Sequence, residues 1–87
     1  MSYRIRWSSA ALRAIENTLP KAIATAVWKS VNGALAENPH RVGKPLLREL
    51  VGYRSAHRGQ YRVVYAINDD EIIVTVVAVD HRRDVYR

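Results

Sequence analysis

The stretch Gly59-Gln60-Tyr61-Arg62-Val63-Val64-Tyr65-Ala66-Ile67 is the clearest strand pattern in the chain, and it sets one guanidinium among apolar neighbours. A planar fork of donors is suited to holding two phosphate oxygens at once. A basic run with a glycine turn, Arg54-Ser55-Ala56-His57-Arg58-Gly59-Gln60, precedes it, and the chain finishes on His81-Arg82-Arg83-Asp84-Val85-Tyr86-Arg87. Other chemistries are poorly supplied. There is no cysteine, so no thiolate nucleophile, thiolate ligand or disulfide is available. The three histidines lie far apart, and no carboxylate pair stands near them at metal-ligand spacing. No glycine-rich phosphate cradle is present, so neither a metal nor a cofactor is expected. What remains is arginine, tyrosine and histidine, which bind phosphate and move protons near neutral pH.

The charge distribution sharpens this. The 87 residues carry a net charge of +6, with an isoelectric point near 10.2. Residues 41–62 hold six cations (Arg41, Lys44, Arg48, Arg54, Arg58 and Arg62) against the single acid Glu49, whereas residues 63–79 hold three acids and no base. A basic cluster beside strand edges, with His and Tyr side chains among it, points to a polyanion such as nucleic acid. The N-terminus has no apolar signal segment. The longest apolar run, Ile72 to Val79, is too short to cross a bilayer as a helix. A cytoplasmic protein without membrane partners is the expectation.

The elements that must position these residues can be read in order. Tyr3-Arg4-Ile5-Arg6-Trp7 alternates as a strand with one wet face. Ser8 and Ser9 can cap a helix carrying Ala10, Ala11, Leu12, Ala14, Ile15 and Leu19. Pro20 fits the first turn of a second helix, whose stripe is Ile23, Ala26, Val27, Val31, Ala34 and Leu35, with Trp28 near its edge. Asn38-Pro39 stops that helix, and His40 to Gly52 reads as a connection. Strands are then expected over Tyr53–Arg58, Gln60–Ile67 and Ile72–Val79, the last two joined by the acidic turn Asn68-Asp69-Asp70-Glu71. The result is one α+β domain of order β-α-α-β-β-β, a helical hairpin packed on one face of a small, mainly antiparallel sheet. Period-two alternation assigns Tyr61, Val63, Tyr65 and Ile67 to the helix side, and Arg62, Val64 and Ala66 to the other.

The ordered set Lys44-Pro45-Leu46, Leu50-x-Gly52, Gly59-x-Tyr61-Arg62-Val63-Val64-Tyr65, an acidic turn, an apolar strand and His81-Arg82-Arg83-Asp84-Val85-Tyr86 resembles the RelE/ParE superfamily of type II toxin–antitoxin toxins. The likeness covers nearly the whole chain. It implies the RelE-like branch: a ribosome-dependent endoribonuclease that cuts mRNA in the decoding site. The ParE-like alternative is a DNA gyrase inhibitor without catalysis, and a third reading is a basic nucleic-acid-binding module. By motif, the strand arginine of the family is Arg62, the terminal arginine is Arg82 and the tyrosine is Tyr86. Arg54 matches the first of two basic residues on the preceding strand; Ser55, Ala56 and His57 compete for the second. The resemblance also implies a cognate antitoxin. An acidic, amphipathic segment laid over the helical hairpin groove, the sheet edge, or both, would neutralise a small basic protein.

In such a reaction the 2′-OH attacks the adjacent phosphate without a metal. Arg62 and Arg82 suit the charge of the phosphorane, where one preorganised donor is typically worth about 10²–10³ in rate. Tyr86 would orient the 2′-OH, act as base, or stack on a nucleobase, and His81 is a further acid–base candidate. Arg54, Arg58, His57, Lys44, Arg48 and Arg83 would hold mRNA or ribosomal RNA. Apart from the resemblance, the better reading of Arg62 is a solvated strand residue or a salt-bridge partner of the acidic turn.

Overall fold

The computed structural model describes residues 2–81. Alternation in the first segment is realised as β1 (Arg4–Trp7), with Arg4 and Arg6 exposed and Ile5 and Trp7 turned toward the core. Ser8 then does two jobs. Its hydroxyl accepts from the Ala11 amide at 3.1 Å, capping α1 (Ser9–Arg13), and donates to the Val77 carbonyl at 2.9 Å. The cap therefore also docks the helix on the sheet.

α1 runs on as a wider π-helical turn (Ala14–Thr18), closed by the Leu19 amide on the Ala14 carbonyl at 2.9 Å. Pro20 caps α2 (Lys21–Ser30), one position before the expected first turn. A second π-helical stretch (Val31–Leu35) extends α2 and contains Gly33. Ala11, Val27, Val31 and Leu35 from this helical layer meet Val63, Tyr65, Val74 and Val76 of the sheet to form the core.

The segment expected as a plain connection has structure of its own. Pro39 opens a short helix, α3 (Pro39–Val42), because its fixed φ suits a first turn as well as it ends the preceding helix. Lys44–Pro45 forms an edge strand, β2, and Arg48–Leu50 a single 3-10 turn. Pieces of two to four residues are too short to show a hydrophobic period. Gly43 is required by space rather than by dihedral angle. A Cβ there would stand 2.5 Å from the Tyr65 hydroxyl and 2.8 Å from the Ser55 carbonyl oxygen.

The remaining strands are β3 (Arg54–Arg58), β4 (Tyr61–Asn68) and β5 (Ile73–His81), giving the sheet order β1-β5-β4-β3-β2. β1 runs parallel to β5 and every other pairing is antiparallel. The β3–β4 hairpin turns on Gly59, whose φ of 53° suits the first central position of a two-residue loop. β5 starts one residue later than expected, because Ile72 sits in the turn at φ 58°. Between Val64 and Tyr65 the pairing shifts: Val64 faces Ala78 but Tyr65 faces Val76. Val77 is the extra residue of a β-bulge, so the core side of β5 reads Val79, Val76, Val74. The extra residue keeps Val74 and Val76 of β5 on the helix side with Val79, where Tyr61, Val63 and Tyr65 of β4 lie as alternation predicts.

Candidate functional site

Residues paired across strands share a face, so the register locates the cations. His57, Arg62 and Asp80 form one row across β3, β4 and β5, on the face turned away from the helices. The Arg62 Nη2 donates to Asp80 Oδ2 at 2.8 Å, and both side chains are about one-third exposed, at 33% and 37%. The Arg62 partner is thus the cross-strand aspartate and not the acidic turn. Its Nε is buried with no acceptor among the described residues. The next row is Lys44, Ser55, Val64 and Ala78, with the Ser55 hydroxyl buried and likewise without a partner among the described residues. A solvent-accessible ion pair of this kind is worth only about 0–1 kcal/mol, so Asp80 can fix the direction of the guanidinium and still release it to a phosphate.

The other candidates are dispersed. Arg54 lies on the helix side, opposite Tyr65, where its Nη2 donates to the carbonyls of His40 and Gly43, both at 2.7 Å. With the Tyr65 hydroxyl on the Pro39 carbonyl at 2.7 Å, it satisfies carbonyls that a short helix leaves open. Arg58 ends β3 opposite Tyr61, and Arg48 is exposed in the 3-10 turn with φ 60°. His81 pairs with Tyr61 and so is not in the Arg62 row. Arg82, Arg83 and Tyr86 lie outside the described residues.

Three groups far apart in sequence meet at the other end of β4. His40 Nε2 lies 2.9 Å from Asp69 Oδ1, and the Tyr3 hydroxyl donates to the same oxygen at 2.6 Å. The bond from His40, then that from Tyr3, holds the Asp69 carboxyl below its usual range. The bond to Asp69 pushes the Tyr3 phenol up. No local pattern announces this clasp, since 66 residues separate Tyr3 from Asp69.

The helix side is apolar by contrast. A groove of about 540 Å³ between the end of α1 and α2 is lined by Ile15, Leu19, Ala24 and Trp28 among others. Trp28 is 47% exposed and stacks on Trp7 with ring centres 5.2 Å apart. Among the described residues no helix is long and apolar enough to cross a membrane, and no three His, Cys, Asp or Glu side chains converge as metal ligands would.

Known proteins share much of this sequence, and a solved structure shares the fold. Toxin RelG of Mycobacterium tuberculosis (strain ATCC 25618 / H37Rv) is 46% identical over 87 residues, covering 100% of this chain and 99% of that protein. Toxin RelE of the same organism is 44% identical over 85 residues, covering 98% and 87%. The crystal structure of the toxin–antitoxin complex RelBE2 from Mycobacterium tuberculosis contains a chain that superposes with a TM-score of 0.90 at 44% identity, over 94% of this chain and 100% of that one. The family model described as the ParE toxin of the type II toxin–antitoxin system parDE matches residues 5–86. On these likenesses and on its fold, the chain belongs to the RelE/ParE toxins of type II toxin–antitoxin systems.

Proposed function

We propose that this toxin inhibits translation as a ribosome-dependent endoribonuclease that cuts mRNA without a metal. The observation that carries the reading is the row His57–Arg62–Asp80, which sets a directed guanidinium beside an imidazole on the face free of helices. In the reaction the 2′-oxygen attacks phosphorus, the bond to the 5′-oxygen breaks, and the products are a 2′,3′-cyclic phosphate and a 5′-hydroxyl. Arg62 neutralises the phosphorane by donating to its non-bridging oxygens. His57, across from it, takes the 2′ proton and returns it to solvent. The leaving oxygen takes a proton from water or from Arg82, and Tyr86 orients the 2′-OH, both roles resting on the family resemblance.

A set with no strong base depends on alignment, and in-line positioning can supply about 7–11 kcal/mol of the barrier. The ribosome provides it by holding mRNA while its RNA meets the basic surface. The partner that silences the toxin is a cognate antitoxin with an acidic, amphipathic segment, and the groove beside Trp28 offers its apolar side an anchor.

Cell-free translation with 5′-end mapping of the mRNA tests the reading. Cuts inside ribosome-covered codons, lost in Arg62→Ala, are expected. Intact mRNA with undiminished translation overturns it and directs the next assay to gyrase supercoiling. Efficient cutting of naked RNA overturns the ribosome requirement.

A further inference from the structure

Arg4 and Arg6 stand more than fifty residues upstream of Arg62, yet the parallel β1–β5 pairing brings them to the same face. Arg6 is in register with Thr75, which pairs with Ala66; Arg4 is in register with Ile73, which pairs with Asn68. Ile5 and Trp7 turn inward, so the two arginines project away from the helices. With strands about 4.8 Å apart and about 3.3 Å per residue, Arg6 lies roughly 10 Å across and 13 Å along the sheet from Arg62.

Four cations therefore share this face: Arg4, Arg6, Lys44 and Arg62. Arg4, Arg6 and Lys44 are exposed, and none of the three makes an ion pair among the described residues. The acids nearby are few. Asp80 is engaged by Arg62 and Asp69 by His40 and Tyr3, while Glu71 at the far end accepts from Asn68 at 3.2 Å and Asp70 is exposed in the same turn. Between the cations lie the small side chains of Ala66, Thr75 and Ala78, with Val64 and Ile73 in the same rows. None of the large exposed apolar residues stands in these rows: Leu12 and Trp28 are on the helices, Leu47, Leu50, Val51 and Tyr53 lie between β2 and β3, and Ile72 is in the turn before β5. An amphipathic protein segment needs such anchors, whereas a sugar–phosphate strand needs only spaced cations over a low floor.

We propose that this face is a track for single-stranded RNA, running from Arg62 to a docking edge formed by Arg4 and Arg6. The track rests on the RNA-directed reading above but not on cleavage. Phosphates engage the two arginines while the strand crosses β5 and β4 toward Arg62. Arg4 and Arg6 are binding residues here and take no part in the bond-breaking step.

The test uses the full chain and a fluorescein-labelled 2′-O-methyl oligonucleotide, which cannot be cut, with anisotropy read across a salt series. Each phosphate contact to a single strand contributes roughly 0.7 to the slope of log K against log salt, so Arg4→Gln/Arg6→Gln should lower the slope by about 1.4. The charge-matched control Arg13→Gln/Lys29→Gln, on the helix side, should leave it unchanged. Equal slopes in the two variants, or no binding by the parent protein, overturn the proposal. So does loss of antitoxin affinity with RNA binding intact, which gives the face to the protein partner. A chain that binds through these arginines yet leaves mRNA whole fails only the nuclease reading. One that cuts mRNA with an unaltered slope fails only this one.

Discussion

Arg54 offers the sharpest test of how this toxin divides its arginines between architecture and chemistry. The family resemblance assigns it to RNA, but its Nη2 holds two carbonyls of the α3 region, each at 2.7 Å. Hydrogen bonds from a charged donor contribute about 1.5–3 kcal/mol each, and the one to His40 is discounted because that site is exposed. Arg54→Ala should then cost about 2–4 kcal/mol, a large part of the roughly 5–15 kcal/mol that stabilises a small domain. At about 4–8 °C per kcal/mol for a chain of this size, the melting midpoint should fall by at least about 8 °C. Arg54→Lys separates charge from shape. It keeps the cation, but one ammonium on a flexible stem does not reproduce the guanidinium fork, so about half the loss should remain. Thermal unfolding by circular dichroism and RNA anisotropy on the same samples read the two effects apart. An Arg54→Ala protein melting within about 2 °C of the parent, or a lysine variant as stable as the parent, would refute the reasoning.

Three further outcomes follow from the geometry. Gly43→Ala meets the Tyr65 hydroxyl and the Ser55 carbonyl and should cost about 1–3 kcal/mol; in a Tyr65→Phe background the penalty should shrink, and additive melting shifts would show the contact to be unimportant. Asp80→Asn should move stability by less than about 1 kcal/mol, because both side chains of the pair reach solvent. Removing its charge about 6 Å from a bound phosphate should tighten RNA binding roughly 3- to 10-fold, and weaker binding would contradict the placement. The Asp69 contribution to stability is complete above its ordinary value of 3.8 and is lost as pH falls through the lowered folded value. That of Tyr3 is complete below 10.0 and is lost as pH rises through the raised one. Asp69→Asn should flatten both limbs of the melting curve against pH, and curves parallel to the parent would dismiss the clasp.

The sheet and its inner face were legible because strand alternation is local. Tyr61, Val63 and Tyr65 announce a buried face within five residues, and the structure buries all three. The helical hairpin was legible for the same reason, from Val27, Val31 and Leu35 at helical spacing. What escaped depends on pairing between distant segments. The bulge at Val77 leaves no mark in a run of apolar residues, since every alternative there is also apolar. The Arg54 placement escaped because a motif match gives position in the chain, whereas face follows from register with Tyr65. The alternation of Arg4 and Arg6 showed a wet face, but only the parallel pairing with β5 reveals that Arg62 shares it.

The order β1-β5-β4-β3-β2 sets a timetable for synthesis. β5 joins β1 to the rest of the sheet, yet it is the last described strand to leave the ribosome. Contacts such as that of Ser8 with Val77 close 69 residues of chain and must wait for it. Translation at about 5–20 residues per second leaves an interval of roughly 2–9 s between Leu35 and His81. During that time the stripe of Val27, Val31 and Leu35 has no sheet to cover it, and Asp80 has not yet been made to hold Arg62. The cations exist before the surface that arrays them, so a toxin of this topology is armed only once β5 has closed the sheet.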